Sequence, residues 1–211
     1  MKKILLIGDS IRMGYDKYVK MSLEEVAEVK YPEENCRFTT YVIRQMIEWK
    51  NRLYPEGDVD LVHINAGLWD TLRMEDGEML LSIEEYEKNM DRIFKLLKLY
   101  FPSAKFIFAT STPVVEKHFG VLKRRNSDVE AYNAVASQIA ISHGAVINDL
   151  YSLMVAAPEE YHSDMTHYYS KGGTRLITDQ VLSTIEGVLG IKGKPLDYDA
   201  LFGETDNIVG I

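Results

Sequence analysis

The sequence has one cysteine, Cys36, in 211 residues, so no intramolecular disulfide can form and a disulfide-stapled secreted scaffold is excluded. It also lacks a surplus of positive charge. Against 24 Lys and Arg stand 32 Asp and Glu, a net charge of -8 that repels nucleic-acid phosphates and anionic lipid. No segment approaches the roughly 20 apolar residues of a spanning helix. The lysines at Lys2 and Lys3 precede only Ile4 to Ile7, too short a run for a signal peptide, so a soluble cytoplasmic protein without membrane insertion is expected. Internal repeats, low-complexity stretches and a Pro/Gly-rich linker are missing as well. With 46% hydrophobic and 27% charged residues, the chain has the composition of an ordinary globular protein large enough to bury a substantial core.

What is present alternates. Short apolar runs at Ile4 to Ile7, Val59 to Ile64, Phe106 to Ala109 and Ala145 to Ile147 read as buried strands, with Val26 to Val29 a weaker one. Between them, Ile83, Tyr86, Met90, Ile93, Phe94 and Leu97 recur at steps of three and four behind a Ser82/Glu85 capping box. Val129, Tyr132, Ala136, Ile139, Ala140 and His143 repeat the pattern, with Ser127/Glu130 expected to cap it. Further helices are expected from about Thr39 to Leu53 and from about Lys171 to Leu189. Strand and helix in alternation predict an α/β chain, three layers deep in α/β/α order, with a roughly five-stranded parallel sheet. One domain spans residues 1–190; a tail, 191–211, packs on that domain or on a neighbouring subunit of a homo-oligomer.

Two short motifs carry chemistry. Gly8-Asp9-Ser10 ends the first strand and opens a helix, at the sheet edge where open α/β folds place their sites. Free N–H groups at a helix start there stabilise a developing oxyanion. Asp164-Met165-Thr166-His167 follows the last strand and precedes the last helix. A serine hydroxyl needs a base, and an imidazole needs an acidic partner to hold its tautomer; Asp164 and His167 supply both. Each motif alone has a plain reading as a turn or a cap, but in this order on this pattern they are specific.

The two motifs resemble those of the SGNH hydrolases, also called GDSL-type esterases and lipases, and the likeness runs from Lys3 to about Leu189. The resemblance implies a flavodoxin-like fold, Ser10 as nucleophile, and Asp164 and His167 completing a triad. It implies a cofactor-free carboxylic ester hydrolase acting on small-molecule esters through an acyl-enzyme, with carbohydrate O-acetyl esters as a first substrate class. The family's G-x-N-D block is matched by Gly67-Leu68-Trp69-Asp70, so Trp69 stands where an oxyanion-hole asparagine is expected. Oxyanion donors are therefore sought at the Ser10 and Cys36 backbone N–H groups and at Asn35 or Asn65. Asp9, Arg37, Trp69 and Tyr168 are expected against the substrate, among aromatic residues that include Tyr15, Phe38 and Tyr169.

The competing readings weigh less. His162, Asp164 and His167 match no strong metal signature, and no metal is expected. His63 reads as a satisfied core histidine, Asp70 as a loop-bracing carboxylate, and Lys123-Arg124-Arg125 as an exposed loop rather than an anion site. A flavodoxin-like binding module lacks its Gly-rich phosphate loop. The alternative kept open is a non-catalytic small-molecule or sugar-binding protein on a degenerate hydrolase scaffold.

Overall fold

The structure, a computed structural model, describes residues 1–202. Five strands, β1 (Lys2–Ile7), β2 (Ala27–Lys30), β3 (Leu61–Ile64), β4 (Lys105–Ala109) and β5 (Val146–Asn148), form one parallel sheet in the order β2-β1-β3-β4-β5. Successive side chains of a strand point to opposite faces. On β1, Leu5 and Ile7 join one core layer with Val42, Met46, Met90 and Phe94, while Ile4 and Leu6 join the other with Val19, Ile177 and Val181. Both faces are thus apolar, as a parallel sheet covered on both sides requires.

The helices α1 (Ser10–Leu23) and α6 (Lys171–Leu189) cover one face; α2 (Thr39–Leu53), α3 (Ile83–Tyr100) and α4 (Asn126–Ser142) cover the other. A short helix, α5 (Leu150–Val155), follows β5. The Ser82/Glu85 capping box forms as expected, each residue bonding the other's backbone N–H. The one expected at Ser127/Glu130 does not. Arg125 is the N-cap of α4 and gives no side-chain bond; the Asn126 N–H is instead donated to Glu116 Oε1, 2.7 Å away. The weak strand is real, and its weakness has a cause: β2 is an edge strand whose Ala27 and Val29 are buried while Glu28 and Lys30 are half-exposed.

Past α6, residues 191–202 lie along the domain. Ser22 and Lys194 exchange two hydrogen bonds, and in α7 (Tyr198–Phe202) the Phe202 ring stacks 5.7 Å from Tyr18. Residues 203–211 of the expected tail lie outside the described residues. Among the described residues no helix is long and apolar enough to cross a membrane.

The register places β1 beside β3, with Ile7 paired to Ile64. The chain order reverses between these strands, which is where the sheet edge opens a crevice. Gly8 and Asn65 leave the two strand ends side by side.

Candidate active site

The turn from β1 into α1 is built from buried polar groups. Asp9 caps α1: its Oδ1 accepts from the Ile11 N–H and from Asn65 Nδ2, both at 2.9 Å. A Cβ on Gly8 would collide with Asn65 Oδ1, so only glycine lets the two strand ends approach this closely. Burial raises the Asp9 carboxyl above its ordinary range, against the opposing hydrogen bonds from Ile11 and Asn65. Asp9 was expected against the substrate. It is instead wholly buried, and its Oδ1 is engaged as the cap of α1.

Ser10 is the first residue of α1, and its Oγ lies 2.7 Å from His167 Nε2. His167 Nδ1 lies 2.7 Å from Asp164 Oδ2. With the Nδ1 hydrogen donated to the carboxylate, Nε2 presents its lone pair to the serine hydroxyl. Asp164 also shapes the loop that carries the histidine, since its Oδ1 accepts from the N–H groups of Thr166 and His167 at 2.7 and 2.8 Å. Burial alone would push this carboxyl up, but the bonds from the His167 ring and the two backbone N–H groups hold it below its usual value. It is therefore an anion at neutral pH.

Tyr169 joins the two halves of this arrangement. Its ring stacks on His167 with centroids 4.8 Å apart, and its hydroxyl donates to the Ser10 carbonyl at 2.7 Å. The ring passes over Gly14, where a Cβ would meet it at 2.8 Å. Tyr168 behaves differently from the expectation. It is 2% exposed, and its hydroxyl donates to the Pro113 carbonyl, so it belongs to the core rather than to a substrate wall.

The loop after β2 lies beside Ser10, held there by Arg12. This arginine is 1% exposed, ion-paired with Asp16, and donates to the Glu34 carbonyl at 2.7 Å and the Gly8 carbonyl at 3.4 Å. The Cys36 N–H, expected to face an oxyanion, is donated to the Gly8 carbonyl at 3.2 Å, and burial pushes the thiol up to about 12. Cys36 therefore braces the turn and offers no free donor. Asn65 Nδ2 gives one of its two hydrogens to Asp9. Asn35 is half-buried; its Oδ1 accepts from the Arg37 N–H at 2.8 Å, which leaves its Nδ2 without a partner among the described residues. The Ser10 N–H also has none there, as befits the first turn of a helix. Arg37 adopts a positive φ of 51° and is exposed, its guanidinium 5.5 Å from the Tyr41 ring.

Trp69 is half-buried beneath Arg124, whose Cζ lies 6.0 Å from its ring. Arg124 belongs to a run expected to be an exposed loop, yet it too is half-buried and donates to the Leu68 carbonyl at 2.6 Å. No sequence signal linked it to the motifs, because 54 or more residues separate it from Trp69 and Asp70. Asp70 reaches across to α2, where Phe38 provides no side-chain cap, and accepts from the Thr39 N–H at 3.1 Å and the Thr39 hydroxyl at 2.5 Å. Burial raises its carboxyl to about 7. His63 is buried between Tyr15 and Asn148, and desolvation lowers it to about 3, which keeps it neutral. His162 packs against Tyr168 at 3.9 Å, and no group of three metal-ligating side chains converges among the described residues.

No protein-family model matches the chain, and a search of curated proteins finds no match. Solved structures do match. A lipase/acylhydrolase from Enterococcus faecalis is 20% identical over 93% of this chain and 100% of its own, with a TM-score of 0.71. A psychrotrophic esterase from a Pseudoalteromonas species, 14% identical, covers 90% of this chain and 100% of its own at 0.68. An acetyl xylan esterase, 15% identical, covers 87% and 99% at 0.69. The fold is that of the SGNH hydrolases, the GDSL-type lipases and esterases.

Proposed function

We propose that this protein is a serine carboxylic-ester hydrolase acting on small O-acyl esters. The observation that carries the reading is the unbroken chain from Ser10 Oγ through His167 to the Asp164 carboxylate, with both hydrogen bonds at 2.7 Å. That arrangement makes an alcohol nucleophilic at neutral pH. Ser10 Oγ attacks the ester carbonyl while its proton passes to His167 Nε2. The tetrahedral oxyanion meets the Ser10 N–H at the start of α1, with the free Asn35 amide as a second donor. Collapse returns the proton from Nε2 to the departing alcohol and leaves an acyl group on Ser10. Water, deprotonated by His167, then releases the carboxylic acid. Asp164 holds the ring and balances the imidazolium charge, and Tyr169 stacks on its face.

Acetylated carbohydrates are the first substrates to try, a choice supported by the acetyl xylan esterase among the structures of the same fold. A screen of acetylated sugars and short 4-nitrophenyl esters on wild type and Ser10→Ala tests the reading, together with labelling by a fluorophosphonate. Wild-type turnover in Ser10→Ala would refute it. One observation favours a second reading as a binding protein: the Cys36 N–H is engaged with the Gly8 carbonyl. Ligand binding with neither turnover nor labelling is the outcome that reading requires.

A further inference from the structure

Arg124 is the feature of the site that the triad does not use. Its Nε donates to the Leu68 carbonyl, and its guanidinium lies 6.0 Å from both the Trp69 and Phe119 rings. Those contacts fix the plane of the group and leave its two Nη nitrogens with no hydrogen-bond partner among the described residues. Asp9 and Asp164 are near enough for their charges to favour the cation, opposing the burial that disfavours it, yet neither forms an ion pair with it. Since Asp9 adjoins Ser10 and Asp164 holds His167, the guanidinium lies over the same sheet edge as the triad.

A guanidinium in this state is poorly satisfied. It has lost part of its hydration to two aromatic rings and has one protein acceptor where it offers five donors. Its two open nitrogens match the paired oxygens of a carboxylate, which a fixed, planar fork binds bidentately. The net charge of -8 works against an approaching anion, so an anionic ligand needs a local cation of this kind to be held. The other arginines near Ser10 are unsuited: Arg12 is buried on Asp16 and two carbonyls, and Arg37 is exposed.

We infer that Arg124 selects esters that also carry a carboxylate, gripping that group with its two free Nη nitrogens while Ser10 attacks the ester carbonyl. The inference rests on the esterase reading and adds the substrate class to it. The carboxylate belongs either to the acyl part or to the alcohol, and two matched pairs of substrates distinguish these. Mono(4-nitrophenyl) succinate against 4-nitrophenyl butyrate probes the acyl side; 4-acetoxybenzoate against its methyl ester probes the alcohol side.

The wild type should favour the anionic member of one pair. In Arg124→Gln that preference in kcat/KM should fall roughly 10- to 100-fold, the size of a lost charge-assisted contact, with most of the change in KM. Arg124→Lys, which keeps the charge without the fork, should fall between. Fluorophosphonate labelling of each variant reports a folded triad. Binding of succinate or 4-hydroxybenzoate, which needs no turnover, should weaken by the same factor. No anionic preference in either pair, an unchanged ratio in Arg124→Gln, or an equal loss on both members of a pair would overturn the inference. Turnover that survives Ser10→Ala would strike the esterase reading instead, and the binding of the two anions would still judge Arg124.

Discussion

The two segments that meet at Ser10 and His167 are built in opposite ways. The turn after β1 is a closed polar network: Asp9, Arg12 and Asn65 are each at most 2% exposed, and their bonds join residues up to 56 positions apart. The loop before α6 is open. The side chains of Asp164 and His167 are 44% and 24% exposed, and Asp164 shapes its loop through bonds to residues two and three positions on. Ser10 is therefore placed by the folded core, whereas His167 is placed by its own loop. Damage to the first region should unfold or distort the protein, because a buried polar group deprived of its partner costs about 1–3 kcal/mol. Damage to the second should remove activity from a protein that remains folded.

The largest expected effect sits where the two regions touch. Ser10→Ala and His167→Ala should each lower kcat for 4-nitrophenyl acetate by roughly 10,000-fold or more, with melting temperatures close to wild type. A large drop in melting temperature for His167→Ala would break the contrast. Asp164 separates its two tasks through a pair of variants. Asp164→Asn keeps an oxygen for the Thr166 and His167 N–H groups but loses the charge beside the imidazole, and should cost roughly 100- to 10,000-fold in kcat, less than removing the histidine. Asp164→Ala should lose more than Asp164→Asn, because the loop then loses its turn; equal kinetics in the two would show that the backbone bonds are idle.

Tyr169→Phe retains the ring stacked on His167 and removes the bond to the Ser10 carbonyl. A loss of about 3- to 10-fold in kcat is expected, for a contact worth about 1 kcal/mol. Gly14→Ala forces the whole ring to move and should cost more than Tyr169→Phe.

The smallest effect on turnover, and the clearest on stability, belongs to the buried side. The folded protein holds the Asp70 proton up to about pH 7, while the unfolded chain releases it near 3.8. Between those values the folded state binds more protons, so this residue makes stability fall as pH rises from about 4 to about 7, with no further loss above. Asp70→Asn should flatten that part of the curve in denaturant titrations at pH 4, 5.5 and 7. Some slope should remain, since Asp9 is raised in the same direction.

The contrast also explains what was legible beforehand. The helices expected from about Thr39 to Leu53 and from about Lys171 to Leu189 form with those bounds, because apolar periodicity is a local property. The Asp164 loop was readable for the same reason: a carboxylate and an imidazole three positions apart already sit within reach of one another. The place of Ser10 at the strand-to-helix turn was legible from the apolar run before it. Cys36 and Tyr168 misled, since nothing in their neighbours tells whether a backbone N–H or a ring faces the crevice or the core. Arg124 was hidden by its surroundings; a cation in a cationic run looks solvated until a loop more than 50 residues away provides the carbonyl and the ring that hold it.

By itself the order of residues determined the alternation of strands and helices, the sheet edge at which Ser10 lies, and the pairing of Asp164 with His167. All of these follow from spacing along the backbone and from which side chains water rejects. Only the tertiary structure decided that the hydroxyl and the imidazole stand 2.7 Å apart, that Asp9 faces inward, and which donors remain free to meet a substrate. Those outcomes depend on partners far away in sequence competing for the same hydrogen bonds, a competition settled when the chain has closed around its core.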